Sequence, residues 1–324
     1  MSLNKIIFIV GPTAVGKTEI SLVLAKKIGG EIVSCDSMQV YREVNIASGK
    51  PSAGTLKKIP HHLIDIISVQ KEYDVASFNR RALKAVGVIH SRGKIPIVVG
   101  GSGLYMQVLL DGIFEGGTSK KEFRAELEAR AKKEGSEVLF RELLKTDAEA
   151  AKKIHPHDAR RIIRALEVYA VSKKPISDLQ KTRSGLWGKN DIMIFALNRD
   201  RPELYKRIDG RVEQMFREGV VEEVRGLMKR RLSRTARNLI GINEIGGFLK
   251  GEHDLERAKY LMKLNTRHFA KRQLTWFRKD KRLNWLTIIS SQSMREVARE
   301  IWAQLKEKGF LEQAQRPTKG MFDG

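Results

Sequence analysis

The stretch "GPTAVGKT", residues 11–18, fits the G-x-x-x-x-G-K-[ST] pattern of a phosphate-binding loop. Its glycines let backbone N–H groups wrap a phosphate, and the helix that follows presents its positive N-terminal end. Lys17 supplies a point charge for the outer phosphate oxygens, and the Thr18 hydroxyl can reach a magnesium ion or a bridging oxygen. The predicted phosphate-binding residues are Gly11, Pro12, Thr13, Ala14, Val15, Gly16, Lys17 and Thr18, with Thr18 also predicted to contact the metal.

A single acid, Asp36, stands at the end of the next apolar run, "EIVSC". In an open parallel sheet ligands bind beyond the carboxyl ends of the strands, so this carboxylate can approach the phosphates. Three roles are compatible with that position. Asp36 can cap a turn or helix, contact magnesium or a phosphoryl acceptor as in small-molecule kinases, or act as general base for an incoming nucleophile. Position alone leaves all three open.

The elements around these residues alternate between strand and helix. Residues 5–10, 31–35 and 95–101 are short apolar runs that predict buried strands, and residues 17–28 and 75–93 predict helices. Later strands are predicted at 191–198 and 283–290. This alternation predicts an α/β fold, a P-loop NTPase-like parallel sheet with helices on both faces.

Between Gly116 and Gly188 the strand pattern disappears and a helical pattern replaces it. We therefore predict a core made of residues 1–115 and 186–312, a helical insertion domain at 116–185, and a disordered polar tail at 313–324. In the last insertion helix Ile162, Ile163 and Leu166 fall on one apolar face, whereas Arg160, Arg161 and Arg164 lie off that face, where they can meet an anion.

The chain has 324 residues, and 61 Lys and Arg against 38 Asp and Glu give it a net charge of +23. Such an excess attracts polyanions, although a general surface bias of heat-adapted proteins is the alternative. No apolar run approaches the roughly 20 residues that span a bilayer and no secretory signal precedes the loop, so we expect a cytoplasmic protein without membrane contact. One cysteine, Cys35, excludes an intramolecular disulfide and a cysteine-rich zinc module.

A basic stripe is predicted late in the chain, within "ERAKYLMKLNTRHFAKRQLTWFRKDKRL". It consists of Lys259, Lys263, Arg267 and Lys271, which recur at i, i+4 steps and therefore share a helix face suited to a nucleic-acid backbone. Aromatic residues interleave with the stripe. They can stack on bases, but helical spacing favours core positions for Tyr260, Phe269, Trp276 and Phe277.

Several blocks together resemble the tRNA dimethylallyltransferase family. They are "GPTAVGKT", "SCDSMQVYREVNIASGKPS", "HHLIDI", "IPIVVGGSGLY", "HPHDARRIIRALEV", "RIDGRVEQMFREGVVEEV" and "NTRHFAKRQLTWFR", spread over most of the chain. A phosphate loop alone is weak grounds for a family, but these blocks in this order are specific. With a single cysteine, the zinc finger of eukaryotic members is absent, so the resemblance is to the bacterial type.

The resemblance implies transfer of a dimethylallyl group from dimethylallyl pyrophosphate to N6 of the adenosine just 3′ of the anticodon, in tRNAs reading codons that begin with U. The phosphate loop then holds a leaving group. In the reaction that the resemblance implies, Asp36 would accept the N6 proton, Thr18 would bind the bridging or leaving oxygen, and Lys17 and Mg²⁺ would neutralise the growing charge. Arg211 matches the family arginine that reaches the pyrophosphate from outside the loop.

The resemblance also implies tRNA contacts, for which a monomer suffices. Beside the target base they are Asp36, Ser37, Met38, Gln39 and Ser102. In the insertion they are Arg124, Arg160, Arg161, Ile162, Ile163 and Arg164. The chain departs from the family pattern at Ser102, where threonine is usual, and within 240–246, where Ile242 and Asn243 replace an aromatic and commonly a basic residue.

Three other functions are compatible with the loop. The first is a small-molecule or nucleoside kinase that binds ATP and uses Asp36 as base. The second is a prenyltransferase acting on free adenine nucleotides, which needs no basic surface. The third is a non-catalytic RNA-binding protein that tolerates loss of Asp36. Turnover of ATP, the identity of the prenyl acceptor and the effect of removing Asp36 distinguish them.

Overall fold

The computed structural model describes residues 4–114 and 121–311. The chain divides into two compact units, one formed by Met1–Leu109 with Trp187–Gly324 and the other by Leu110–Leu186. The predicted insertion, residues 116–185, falls within the numbering of the second unit. The predicted polar tail at 313–324 lies outside the described residues.

The first unit is built on a six-stranded sheet in the order β3-β2-β4-β1-β5-β6, with every neighbouring pair parallel. The strands are β1 (Lys5–Val10), β2 (Glu31–Ser34), β3 (His61–His62), β4 (Pro96–Gly100), β5 (Asp191–Arg199) and β6 (Asn284–Ile288). The predicted α/β class and parallel sheet are confirmed. Sequence reasoning missed β3, because two residues carry no periodicity.

The first unit also contains the helices that connect and follow these strands. They are α1 (Lys17–Ile28), α2 (Ala53–Lys58), α3 (Val75–Ser91), α4 (Gly103–Asp111), α10 (Arg201–Arg217), α11 (Val220–Met228), α12 (Arg234–Arg237), α13 (Ile242–Leu249), α14 (Leu255–Phe277) and α15 (Met294–Glu307). Ile7 and Ile9 of β1 pack with Leu24 of α1 and Ile301 of α15 in one buried cluster. Burial of both faces explains why the central strands read as unbroken apolar runs.

The second unit is helical in its described part, with α5 (Lys121–Glu134), α6 (Ser136–Thr146), α7 (Ala148–Ala151), α8 (Ala159–Ser172) and α9 (Ile176–Lys181). Its core joins Leu139 and Leu143 of α6 to Ile162 and Leu166 of α8. Asp158 caps α8 by accepting a hydrogen bond from the Arg161 N–H at 3.1 Å, which fixes where the helix begins. Over residues 4–114 and 121–311, no helix combines the length and apolar content needed to cross a bilayer.

Candidate active site

The phosphate loop connects β1 to α1, at the carboxyl edge of the sheet. Gly11 has φ 148°, and a Cβ there would lie 2.6 Å from the Leu197 carbonyl oxygen, so only glycine lets the loop leave β1 this close to β5. Gly16 precedes α1 with φ 114°. The backbone conformation that the sequence pattern requires is therefore present, with the N-terminal end of α1 directed to the loop.

The Lys17 ammonium group folds back over the loop and donates hydrogen bonds to the carbonyl oxygens of Gly11 at 3.0 Å and Pro12 at 2.7 Å. Burial lowers the pKa of Lys17 to about 8; Asp36 opposes this shift and Arg211 adds to it. A desolvated ammonium group that shares its surroundings with a second cation is poised to bind an anion.

Arg211 of α10 reaches the loop from outside it, as the resemblance implies. Its guanidinium donates to the Thr13 hydroxyl at 3.5 Å and to the Ser48 carbonyl at 3.4 Å. Burial lowers the pKa of Arg211, and the Asp36 carboxylate opposes that shift. A Cβ at Gly49 would lie 1.8 Å from a guanidinium nitrogen, so this glycine leaves the space that the arginine occupies.

Asp36 follows β2 and caps the turn after it. Its Oδ1 accepts hydrogen bonds from the N–H groups of Met38 at 2.8 Å and Gln39 at 3.4 Å. Within the described part of the chain, Oδ2 has no hydrogen-bond partner. The capping role considered from the sequence is therefore real, but it uses one carboxylate oxygen and leaves the other for chemistry.

Several cavities meet at these residues, and three of them matter for the site. The first cavity has a polar half that includes Lys17, Thr18, Asp36 and Arg211, and an apolar half formed by Ile208, Val212, Met215, Ile240, Met262 and Phe269. The second cavity is lined by Asp36, Ser37, Met38, Ser102, Phe269, Arg272, Gln273 and Trp276. The third cavity, about 420 Å³, opens beside the loop and is lined by Lys17, Thr18, Lys50, Arg207 and Arg211 among others. Asp36 is shared by the first two cavities, and Lys17, Thr18 and Arg211 by the first and third.

Sequence reasoning missed several residues of this site. Arg207 donates to the Ala14 carbonyl at 2.9 Å and lines the third cavity. Gln273 and Arg272 line the second cavity. Both belong to the quoted block "NTRHFAKRQLTWFR", but neither falls in the i, i+4 series of the predicted basic stripe. Gln39, which was predicted, lines the first cavity and accepts a hydrogen bond from the Ser34 hydroxyl at 3.0 Å.

The structure corrects the interpretation of the basic stripe on α14. Lys263 pairs with Glu213 and Arg267 pairs with Asp209, both on α10. Lys259 pairs with Glu256 at 2.7 Å. Three of the four predicted cations thus pair with carboxylates of the same chain, two of them across to α10 and Lys259 within α14. Lys271 is exposed and, in the described residues, has no ion-pair partner.

The aromatic residues of α14 divide between core and site. Phe277 is fully buried, as helical spacing favours, and Phe269 is half-buried in the walls of the first two cavities. The core assignment is wrong for Tyr260 and Trp276, whose exposed fractions are 52% and 37%. Trp276 lies over Gly103, where a Cβ would meet its ring at 2.1 Å, and forms part of the second cavity.

In the second unit the predicted tRNA-binding residues have different environments. Arg160 is exposed, and Arg161 is exposed and pairs with Asp158 at 3.2 Å. Arg124 donates to Glu128 at 2.9 Å and to the buried Glu167 at 3.5 Å. Arg164, with 41% of its side chain exposed, lies 3.9 Å from the same Glu167.

Two of the predicted tRNA-binding residues in α8 have buried side chains. Ile162 and Ile163 are 0% and 3% exposed and belong to the core of the second unit, so their side chains cannot reach RNA. Ile242 is likewise buried, and Glu244 fixes its helix start by accepting from the Gly241 N–H at 2.8 Å. Of the two residues that depart from the family pattern, Asn243 alone is exposed.

The site also fits a magnesium ion. Among the described residues no group of three or more His, Cys, Asp or Glu side chains could hold a metal. Magnesium does not require such a group, since it keeps several waters and binds through one or two protein oxygens together with substrate phosphates. Thr18 and Asp36 provide a hydroxyl and a carboxylate in one cavity with Lys17.

A phosphate loop with a nearby carboxylate, and a cavity that has both a cationic and an apolar part, is the arrangement expected of an α/β enzyme that acts on a phosphorylated apolar substrate. The family profile described as "IPP transferase" matches residues 39–280. The chain belongs to this family, a family of prenyltransferases, and the resemblance seen in the sequence is confirmed.

The similarity to individual proteins extends over nearly the whole chain. This chain is 44% identical to "tRNA dimethylallyltransferase 2" of Geotalea uraniireducens over 284 residues, which cover 87% of this chain and 92% of that protein. The full-length tRNA isopentenylpyrophosphate transferase of Bacillus halodurans matches with a TM-score of 0.69 and 37% identity, over 95% of this chain and 99% of that one. A eukaryotic dimethylallyltransferase acting on tRNA matches with a TM-score of 0.80 and 28% identity, over 96% and 81% of the two chains.

Proposed function

We propose that this protein transfers the dimethylallyl group of dimethylallyl pyrophosphate to N6 of the adenosine just 3′ of the anticodon, in tRNAs reading codons that begin with U. It acts in the cytoplasm as a monomer. The observation that supports this proposal best is the position of Asp36, which lines both the first cavity, beside Lys17, Thr18 and Arg211, and the second cavity, beside Ser102 and Trp276.

The donor occupies the first and third cavities. Its pyrophosphate lies against the loop N–H groups, Lys17 and Arg211, with Arg207 at the mouth of the third cavity. Its dimethylallyl group lies in the apolar half of the first cavity, against Val212 and Met262. In this placement the C–O bond that must break lies between the cationic and apolar halves of one cavity, so the departing charge stays with the cations.

The acceptor adenine leaves the anticodon-loop stack and enters the second cavity. Phe269 and Trp276 offer it aromatic faces, and Ser102 and the Ser37–Gln39 turn offer polar groups to its edge. The N6 lone pair forms the new N–C bond as the C–O bond to pyrophosphate breaks. Asp36 takes the N6 proton through the oxygen that does not cap the turn, and pyrophosphate leaves.

Mg²⁺ is the cofactor that the donor set suits, and Thr18 is the residue that would hold it together with the substrate phosphates. When bound, the ion neutralises charge on the leaving pyrophosphate. The chain's own contribution is the loop, which holds the pyrophosphate, and Lys17, whose ammonium group faces that anion and which takes up a proton on anion binding only above its pKa of about 8.

The tRNA is held outside the cavities by exposed basic side chains. In the first unit Arg272 is exposed beside the second cavity, and Lys271 and Arg278 are exposed on α14 and just beyond it. In the second unit Arg160 and Arg161 are exposed at the start of α8. These residues explain why the net charge of +23 is useful to an enzyme whose reaction involves one base.

The test is a transfer assay with radiolabelled dimethylallyl pyrophosphate and Mg²⁺, offering unmodified tRNA, AMP and ATP as separate acceptors. Label in tRNA alone supports the proposal. Label in AMP or ATP assigns the protein to the nucleotide prenyltransferases instead. Consumption of ATP without any prenyl transfer would indicate that the protein is a kinase. Binding of tRNA without either reaction would indicate a non-catalytic RNA-binding protein.

A further inference from the structure

Gln273 of α14 is a buried polar residue that neither the loop pattern nor the charge pattern explains. It is 6% exposed, and both ends of its amide are engaged. Its Oε1 accepts a hydrogen bond from the Thr13 N–H of the phosphate loop at 2.9 Å, and its Nε2 donates one to the Gly101 carbonyl at 2.9 Å. One side chain thus joins the loop after β1 to the segment after β4.

Each of these segments belongs to a different half of the site. The Thr13 hydroxyl receives a hydrogen bond from Arg211, which places Thr13 on the pyrophosphate side. The Gly101 segment contacts Cys35, the residue before the proposed base Asp36. The Ser102 N–H donates a hydrogen bond to the Cys35 carbonyl at 3.3 Å. A Cβ at Gly100 would lie 2.0 Å from the same carbonyl oxygen, so the two segments are in direct backbone contact.

The packing around the amide leaves it little freedom. A Cβ at Gly101 would lie 2.1 Å from Gln273 Nε2, so the glycine is required for the amide to approach the carbonyl this closely. Gln273 also lines both the first and the second cavity. A glutamine is suited to this position, since it is a neutral side chain that carries both an acceptor and a donor on one rigid group.

We propose that Gln273 is a positioning residue that sets the distance between the pyrophosphate loop and the acceptor side of the site, where Asp36 and Ser102 lie. The proposal rests on the proposed function for its catalytic consequence. Its structural consequence is that an anion held by the loop also orders the Gly101–Ser102 segment through the Gln273 amide. Displacement of about 1 Å between reacting groups costs on the order of a hundredfold in rate, so a connection of this kind matters for transfer more than for donor binding.

Two variants break the connection from opposite sides. Gln273→Met keeps an unbranched side chain but removes both hydrogen bonds, and Gly101→Ala forces the amide away from the carbonyl. Each is expected to lower kcat for prenyl transfer by roughly a hundredfold, and to raise the fraction of dimethylallyl pyrophosphate lost to water, while the Kd for pyrophosphate changes less than about tenfold. Because both act on one contact, the double variant is expected to be no slower than the slower single variant.

Gln304→Met, the same substitution on α15, is the matched control and should transfer at the rate of the unmodified protein. Thermal unfolding of each variant shows whether it is folded. Transfer at an unchanged rate by folded Gln273→Met overturns the proposal, as do effects of the two substitutions that multiply in the double variant.

A second readout needs no transfer and therefore separates this proposal from the proposed function. Amide hydrogen exchange of the segment around Gly101 and Ser102 is measured with and without pyrophosphate. Slower exchange that occurs in the unmodified protein and disappears in Gln273→Met supports the connection even if no acceptor is ever prenylated. Pyrophosphate that binds without changing this exchange, or that slows it equally in the variant, overturns it.

Discussion

Arg267 on α14 forms two hydrogen bonds with the carboxylate of Asp209 on α10, one of them from Nε to Oδ1 at 3.0 Å. The partly exposed pair raises the pKa of the arginine through its hydrogen bond to the acid. Lys263 and Glu213 form a second bridge between the same two helices. The basic residues whose spacing suggested a nucleic-acid-binding surface therefore form part of the interface between α10 and α14.

This arrangement predicts which cations bind RNA. Lys271 and Arg278 line a cleft of about 450 Å³ beyond the ends of β5 and β6, together with Arg201. Lys271→Ala combined with Arg278→Ala should weaken tRNA binding and flatten the plot of log K against log salt, by up to about 0.9 for each phosphate that is no longer neutralised. Lys259→Ala combined with Lys263→Ala removes the same charge and should leave the slope unchanged. Equal flattening by both pairs would contradict the assignment.

Two residues of α8, Ile162 and Arg160, are expected to have different roles, because one is buried in the core of the second unit and the other is exposed. Ile162 is fully buried, so Ile162→Ala should reduce the free energy of unfolding of that unit by about 2–5 kcal/mol, because it removes buried methyl groups and leaves a cavity. Arg160 is exposed, so Arg160→Ala should leave the unfolding curve in place and weaken tRNA binding. Urea unfolding and tRNA titration of both variants provide the measurement. A stable Ile162→Ala protein with weakened tRNA affinity would restore the RNA-binding role that the family resemblance implies for this position.

The parts of the fold that could be predicted from the sequence are those in which neighbouring residues alone determine the local structure. The loop at 11–18 requires glycine at a positive φ, and β1 and β4 are buried on both faces, so pattern and structure agree. Arg160 and Ile162 were separated by the helical pattern of the sequence, although both occur in one block of the family resemblance, which implies tRNA contacts for both. Their separation follows from the 3.6-residue period of α8, which places Ile162 on the apolar face and Arg160 off it.

The parts that sequence reasoning missed depend on contacts between distant segments. Gln273 and Thr13 are 260 residues apart, and no local sequence pattern predicts that a glutamine will bridge two distant loops. The ion pairs of the stripe on α14 were missed for the same reason, because the partners Asp209 and Glu213 lie on α10. A charge pattern identifies a polar face, but only packing shows whether the chain supplies its own counterions.

Lys17 makes donor binding dependent on pH. Its pKa of about 8 in the free protein lies well below the ordinary value of 10.5, because burial disfavours the charged form. A bound pyrophosphate favours that charged form, so above pH 8 binding requires uptake of a proton, and affinity should fall by up to about tenfold per pH unit. Below pH 8 the group is already protonated and the dependence disappears.

The matched variant is Lys17→Arg, whose guanidinium stays protonated throughout the range. Titration of dimethylallyl pyrophosphate from pH 6.5 to about 9.5 should show the affinity of the unmodified protein declining relative to that of the variant above pH 8. Ionisation of the ligand affects both proteins equally and cancels in the ratio. A ratio that stays constant across the range would show that Lys17 is fully protonated in the free protein.

Asp36 allows its two oxygens to be tested separately. Asp36→Asn keeps an oxygen that can accept from the Met38 N–H, and therefore keeps the turn, but it cannot take a proton. Asp36→Ala loses both roles. If the carboxylate is the base, both variants should lose roughly a hundred- to ten-thousand-fold in kcat, with tRNA affinity changed little. If the cap were its main role, Asp36→Asn would retain nearly full activity and only Asp36→Ala would fail. Single-turnover transfer to tRNA, with donor and protein in excess, measures the chemical step directly and decides between the two roles.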